Sequence, residues 1–267
     1  MSFFTNGYLS SNIQDVIQDD LIKYNDLLLH YRKVNEYSIK KMYQISPSKD
    51  SFPEIVVSTI FTKILNTYQA ILILYENGLA SQARSLMRNN LESLFIMNVI
   101  CKDQEKVFSL IDNDNAQRLR LYNSIKNSPL MEQYKHTVEN NPQLEDLARN
   151  SKLIKQKEIM ISKWASLSDF EQFHKTIYSV LCADTHIDIR NLEDYLIVDA
   201  QDNITGLNSC PEMKSFAVDI ATSIMIQLES LSTISRIFKE IEDHELNLLD
   251  EETKMYIKNY LKKEDED

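Results

Sequence analysis

The sequence predicts an all-α protein, a bundle of long antiparallel helices with shorter helices packed across one end. Three observations predict this class. Apolar residues recur at helical spacing in several long segments of the 267-residue chain. Only three glycines are present, too few for a glycine-rich phosphate loop or for the repeated turns of a sandwich or barrel. Prolines also stand where several helices are expected to begin.

The first half of the chain is expected to form three long helices. The first covers 12–45, because apolar residues recur on one face and Ser46-Pro47 stops it. The second begins near Pro53 and runs to Asn77, where Gly78 favours the conformation that ends a helix. The third covers 80–101. The short connection favours antiparallel packing of the second and third helices.

The second half is expected to be less regular, although no linker divides the chain, so we predict one domain over 1–267. Residues 102–160 are polar and predict a helical arm or lid, with a break or a kink near 112–115. A capping box at 168–171 opens a helix that runs to about 184. Residues 197–211 predict a loop that could hold a small hairpin, and Pro211 starts the next long helix.

Composition excludes several classes of function. The formal charge is −11 without a basic block, which argues against a broad surface that grips nucleic acid. The three cysteines are far apart and predict reduced thiols. The N-terminus lacks a secretory pattern, and polar residues interrupt the most apolar stretch, 55–75. We therefore expect a cytoplasmic protein without a membrane span, and we predict no cofactor and no metal, because no paired metal-ligand spacing occurs.

The third helix carries a stripe of charged residues although it is apolar nearly all round. Arg84, Arg88 and Glu92 follow one another at intervals of four. Charged side chains on a central helix need partners. Two interpretations stay open. One is an Arg88–Glu92 pair, with or without an extension to Arg84, that fixes the register between helices. The other is a polar pocket in which the guanidinium binds an anion and the carboxylate orients it or accepts a proton.

His186 is the third candidate. It follows the capped helix, with Asp188 and Arg190 close behind, and an imidazole at a helix end can titrate near neutrality. It can equally be a hydrogen-bonded structural group. The other histidines lie in polar helical stretches and are expected at surface or rim positions: His30, His136, His174 and His244.

Two segments resemble a bacterial family of helical proteins classified only as a domain of unknown function. Residues 83–92 are similar to that family's helix with an arginine and, four positions on, a glutamate, and residues 164–186 are similar to its tyrosine, leucine-serine and histidine signature. The resemblance covers 79–196. It implies Arg88, Glu92 and His186 as catalytic positions. Cys182 stands where the family usually has serine.

The family in turn looks similar to HEPN-like helical bundles, many of which are ribonucleases of prokaryotic defence or toxin systems. Those proteins use an arginine and a histidine about five residues apart, and this chain lacks that element. The catalytic expectation is therefore an analogy at the level of the fold.

Two functions follow as hypotheses. The first is a prokaryotic defence or toxin-type effector, such as a phage-defence ribonuclease, acting on RNA or a nucleotide. It would need a local basic cleft, for which the middle region offers Arg118, Arg120, Lys126, Lys152, Lys155 and Lys157, unless these are solvated helix faces. The second is a non-catalytic module that senses a small anionic ligand or docks a partner. Either could form a homodimer through a long helix.

Overall fold

The described part of the chain is mostly helical, with one two-stranded sheet, so the predicted all-α class is confirmed. The computed structural model describes residues 3–150, 152, 158–185, 189–211, 213, 215–241 and 243–264.

The helices follow one another closely along the chain. In order they are α1 (Phe3–Asn6), α2 (Ile13–Val16), α3 (Gln18–Lys23), α4 (Asn25–Met42), α5 (Phe52–Tyr75), α6 (Ala80–Lys102), α7 (Val107–Asn127), α8 (Glu132–Glu139), α9 (Pro142–Arg149), α10 (Ile161–Leu167), α11 (Glu171–Phe173), α12 (Ser179–Thr185), α13 (Ile189–Glu193), α14 (Phe216–Ile234) and α15 (His244–Glu264). Short 3₁₀ turns lie at Gly7–Leu9, Gln104–Lys106, Pro129–Met131 and Lys239–Ile241, and a π-helical turn at His174–Tyr178 joins α11 to α12.

Helices α5 and α6 form the predicted antiparallel pair. The hydroxyl of Ser51 accepts a hydrogen bond from the Glu54 amide and caps α5. At the other end Gly78 has φ +73°, and the Leu79 amide donates to the Leu74 carbonyl over 2.9 Å. This closure satisfies a carbonyl that the helix end would leave unpaired, and it reverses the chain into α6.

The core lies around α6, which packs against α5, α10, α12 and α14. Helix α5 is also long and apolar enough to cross a membrane by length and composition. Its residues Phe61, Tyr68 and Tyr75 are fully buried within the bundle. A core helix meets the same criteria of length and hydropathy, and that is the position α5 occupies.

The expected single helix over 12–45 is wrong. The chain leaves helical geometry at Ile17 and at Tyr24, so α2, α3 and α4 follow as separate helices. Both residues at the breaks are buried in the core, at 2% and 5% exposure. Burial of two apolar side chains outweighs the lost helical hydrogen bonds, because each contributes about 1.5–3 kcal/mol.

The expected break at 112–115 is also wrong, because α7 is continuous there. Asp114 pairs with Arg118 one turn later, with 2.6 Å between Oδ2 and Nε, and such i,i+4 pairs support a helix. The amide side chain of Asn113 bonds both to the carbonyl and to the amide of Ile159, each over 2.8 Å. These bonds fix the middle region to the segment that leads into α10.

The segment 197–211 contains most of a short antiparallel pair, formed by β1 (Leu196–Val198) and β2 (Ile204–Leu207). Leu196 pairs with Leu207 and Val198 with Ile204, with an irregularity between. The Asp199 carboxylate accepts hydrogen bonds from Gln201 and Asn203 and holds the turn. At the base, the Asn208 amide donates to the Tyr195 carbonyl over 2.8 Å. The pair therefore brings residues 194–195 and 208–210 together beside α6.

Candidate functional site

Helix α6 places the predicted charged stripe at the edge of the core. Most of its side chains are buried, which confirms that the helix is central. The side chains of Arg88 and Glu92 are 19% and 28% exposed. Solvent can therefore reach the pair, although most of each side chain lies within the protein.

Arg88 and Glu92 form the predicted i,i+4 ion pair, with 3.0 Å between Nη2 and Oε1. A third group completes the arrangement. The Tyr178 hydroxyl accepts a 2.8 Å hydrogen bond from Arg88 Nη2 and donates one of 2.8 Å to Glu92 Oε1. Each group thus contacts the other two, and we name Arg88, Glu92 and Tyr178 the α6 triad. Because Tyr178 precedes α12, the triad joins that segment to α6.

The π-helical turn His174–Tyr178 sets the direction of Tyr178. One residue more than an α-helical turn rotates the following chain, and the Ser179 hydroxyl donates to the His174 carbonyl five residues back. The His174 ring stacks on the Tyr178 ring at 4.8 Å between centroids and 17° between planes. The guanidinium carbon of Arg88 lies 5.0 Å from the Tyr178 ring centroid. Phe95 contacts both rings from the core.

The electrostatics of the triad keep the tyrosine protonated and the arginine charged. Burial raises the pKa of Tyr178 to about 12, and the hydrogen bond to Glu92 adds to this while that from Arg88 opposes it. Burial lowers the pKa of Arg88, but the hydrogen bond to Tyr178 and the charge of Glu92 outweigh it, so the net direction is upward. At neutral pH the phenol therefore serves as a proton donor and the guanidinium as a fixed cation.

One donor of Arg88 is unused. Its Nε is buried, and among the described residues it has no hydrogen-bond partner. A buried donor without an acceptor costs about 1–3 kcal/mol, more on a charged group. Nε and Nη2 lie on the edge of the guanidinium that binds carboxylates and phosphates through two parallel hydrogen bonds. One additional oxygen at this edge would satisfy the group.

Arg84 does not extend the Arg88–Glu92 pair, contrary to one of the expectations. Its Nη1 lies 3.5 Å from Asp219 Oδ2 on α14, and its Nη2 lies 4.0 Å from Asp194 Oδ2. The same Asp219 oxygen accepts a 2.6 Å hydrogen bond from the Tyr75 hydroxyl. The first residue of the stripe therefore belongs to a second polar cluster, one turn before the triad.

His186 lies outside the described residues, as does Asp188. The structure thus brings two of the three predicted site residues together, Arg88 and Glu92. Within the described residues no group of three or more His, Cys, Asp or Glu side chains could hold a metal ion. The triad itself offers a single carboxylate.

Two of the basic residues of the middle region, Arg118 and Arg120, are paired with carboxylates. Arg118 contacts Asp114, and Arg120 Nη1 lies 2.8 Å from each carboxylate oxygen of Glu158. Lys155 and Lys157 lie outside the described residues. Arg118 and Arg120 therefore add little positive potential to this surface, as expected of solvated helix faces.

Comparison with protein families gives one match. The model of a family of unknown function, DUF5677, covers residues 54–204 of this chain, more than half of its length. The chain belongs to the DUF5677 family. The match contains both resembling segments and the whole α6 triad. Comparison with curated proteins and with solved structures finds no significant match, and the likeness to HEPN-like bundles is not confirmed.

Sequence reasoning missed two members of this site. Tyr178 stood within the tyrosine and histidine segment that resembles the DUF5677 family, and that segment was the available signal. His174 was expected at a surface or rim position and is partly exposed, but its stacking on Tyr178 was not foreseen. A π-helical turn has no sequence signature comparable to a proline or a glycine, so the stacking could not be predicted. Asp219 pairs with Arg84 across 135 positions, and no local pattern indicates such a contact.

Proposed function

We propose that the protein is an effector of the prokaryotic defence or toxin type. It binds a phosphate group of RNA or of a nucleotide at the α6 triad and cleaves a phosphorus–oxygen bond of that group. The observation that carries this proposal is the meeting of three groups within 3.0 Å on a partly exposed part of the central helix. A cation, a carboxylate and a phenol are held in fixed positions, and one N–H of the cation has no partner among the described residues.

Each group has a role that its geometry supports. Arg88 offsets the charge that develops on the phosphate oxygens, and its unused Nε supplies the second hydrogen bond of a two-pronged contact. Glu92 accepts the proton of the attacking hydroxyl or water. Tyr178 holds both residues and keeps the carboxylate oriented. The attacking oxygen forms a bond to phosphorus while the bond from phosphorus to the leaving oxygen breaks. The leaving oxygen takes a proton from His186, which we propose as the acid.

The non-catalytic interpretation is a second candidate, favoured by a different observation. The charges of Arg88 and Glu92 satisfy each other, and Tyr178 couples them to the segment before α12. An anion that replaced Glu92 at the guanidinium would release Tyr178 and alter the packing of that segment. The protein would then sense a small anion without turning it over.

Cleavage by the purified protein distinguishes the two candidates. We expect hydrolysis of an RNA oligonucleotide or of nucleotides by the wild type, and a loss of about 10²-fold or more in Arg88→Ala and Glu92→Gln. Arg88→Lys should also be defective, because a lysine cannot make the two-pronged contact. Arg118→Ala removes a comparable i,i+4 pair at the surface and serves as the matched control.

Expression in a bacterial host adds a second readout. Growth arrest with breakdown of RNA or depletion of nucleotides, cured by His186→Ala without loss of folding, supports the effector. Phosphate binding that depends on Arg88, without turnover of any phosphate ester, supports the sensor. If Arg88→Ala and Glu92→Gln change neither turnover nor phosphate binding while both variants remain folded, the triad has only a structural role. The effector and the sensor are then both refuted.

The proposal includes a cytoplasmic location away from membranes, where nucleotides and RNA are abundant. A homodimer stays a prediction, which light scattering of the purified chain can test.

A further inference from the structure

A cavity of about 180 Å³ opens beside the first turns of α6, one helical turn before Arg88. Its walls come from the N-terminal segment, from α6 and from the base of the β1–β2 pair. Sites for drug-sized ligands measure about 300–1,000 Å³, so this cavity has the size of one nucleobase with part of its sugar.

The lining has the chemistry that recognises a planar heterocycle. Tyr8 and Tyr195 supply aromatic faces. Any of the bases can stack on such rings, because every base has a π-face. The Tyr8 ring is itself fixed by an edge-on contact with Phe3 at 5.5 Å between centroids. Gln82 contributes an amide that makes no hydrogen bond within the described part of the chain and can read the edge of a base.

Charged groups lie where a sugar and a phosphate would follow. The Asp194 side chain is 40% exposed and its carboxylate is 4.0 Å from Arg84, beyond the length of a strong hydrogen bond. Carboxylates accept hydrogen bonds from ribose hydroxyls in the nucleotide sites of other folds. Arg84 and Arg88 lie one turn apart, about 6 Å along the helix axis, so one nucleotide can reach from the cavity to the triad.

We propose that the cavity holds the nucleoside part of a single nucleotide whose phosphate lies at the α6 triad. This inference rests on the proposed function and narrows its substrate to a mononucleotide. Long RNA fits less well, since the chain carries a net charge of −11 and Arg118 and Arg120 are already paired with carboxylates. A small cavity beside a fixed cation needs no extended basic surface.

Binding of defined probes tests the inference. Isothermal titration with the four ribonucleoside 5′-monophosphates, inorganic phosphate and a short RNA oligonucleotide compares the sources of phosphate. We expect at least one monophosphate to bind about tenfold or more tightly than inorganic phosphate and than the oligonucleotide. Tyr195→Ala should weaken that nucleotide by about fivefold or more and leave phosphate binding unchanged.

Two further variants keep the test decisive if Tyr195→Ala disturbs the strand pair. Gln82→Ala truncates an exposed side chain on a long helix, and it should change the preference among the four bases. Tyr43→Ala is the matched control. Tyr43 is 80% exposed and does not line the cavity, so this change should leave nucleotide binding unaltered.

Failure of this inference differs from failure of the proposed function. If phosphate binds in an Arg88-dependent way but every monophosphate binds no more tightly than phosphate, the nucleoside site is refuted and the triad survives. Tighter binding of the oligonucleotide than of any monophosphate also refutes it. If Arg88→Ala leaves the binding of phosphate and of nucleotides unchanged, the proposed function itself is overturned.

Discussion

Arg88 contacts Tyr178 in two ways. Its Nη2 donates a 2.8 Å hydrogen bond to the phenolic oxygen, and its guanidinium carbon lies 5.0 Å from the ring centroid. Hydrogen bonds to charged groups contribute about 1.5–3 kcal/mol, and a cation over a ring about 0.5–1 kcal/mol where solvent has access. The hydroxyl and the ring of one tyrosine therefore hold the cation of the site.

Tyr178→Phe keeps the ring and removes the hydroxyl. We expect the free energy of unfolding to fall by about 1–2 kcal/mol, because Arg88 and Glu92 each lose one partner. Chemical denaturation measures the change. In a double-mutant cycle with Arg88→Ala the two residues should show a coupling of about 0.5–2 kcal/mol. Tyr43→Phe is the control, and additivity of the two single changes would contradict the contact.

His30 predicts a dependence of stability on pH. Its Nε2 lies 2.7 Å from the Thr253 hydroxyl, and because Thr253 donates to Leu249, the imidazole must donate there. Burial lowers the pKa of His30, although the Glu252 carboxylate raises it and Lys33 lowers it further. The unfolded chain therefore binds more protons than the folded chain below pH of about 6.5.

The free energy of unfolding should therefore decrease as the pH falls below about 6.5. The slope against pH corresponds to the uptake of at most one proton on unfolding. The decrease continues down to the lowered pKa of the folded state. Unfolding measured between pH 7 and 5 should show a smaller slope in His30→Gln than in the wild type. His136→Gln, at an exposed histidine, should retain the wild-type slope. Equal slopes in all three proteins would refute the assignment.

Asp169 predicts a dependence of the same sign in a lower pH range. The pKa of Asp169 is lowered to about 2, mainly by the hydrogen bond from Lys102. Burial opposes this lowering, whereas hydrogen bonds from Arg236 and Asn98 add to the lowering. A carboxyl group with a depressed pKa stabilises the fold fully above its unfolded pKa of about 4 and loses that effect as the pH falls through 2. Asp169→Asn should therefore reduce stability at pH 7.

The Asp169 side chain is 42% exposed, so solvent screening limits the loss to about 1–2 kcal/mol. Thermal unfolding at pH 7 and at pH 2 measures it, and the difference between variant and wild type should shrink at the lower pH. Glu171→Gln removes a surface pair with Lys175 and should have no measurable effect. A difference that persists unchanged at pH 2 would contradict this account.

Gly78 predicts a steric effect on the α5–α6 connection. A Cβ atom at this position would lie 2.6 Å from Cβ of Pro211, and the backbone has φ +73°. Gly78→Ala should therefore cost about 2–4 kcal/mol, combining left-handed strain with overpacking. Gly7→Ala shares the positive φ but meets no atom within 4 Å, so it should cost only about 1–2 kcal/mol. If chemical denaturation shows equal losses of unfolding free energy for the two variants, Pro211 shifts without measurable cost and the steric effect is refuted.

Local patterns were sufficient for the helices whose ends carry their own signals. Ser51 and Pro53 mark the start of α5 and Gly78 follows its end, and the bonds that end α5 are made within one turn. The breaks at Ile17 and Tyr24 were not predictable, because they depend on burial against distant helices. The continuity of α7 through 112–115 likewise depends in part on the contact between Asn113 and Ile159.

For the site, the sequence by itself determined that α6 is a central helix carrying a charged pair, since residues four apart on one helix must be neighbours. The tertiary structure alone decided what completes that pair. The contact with Tyr178 spans 86 positions or more and depends on a π-helical turn, and the cavity beside Arg84 forms only where the strand pair reaches α6. Spacing along a helix follows from its geometry, whereas the choice of partners between helices is a property of the whole packed core.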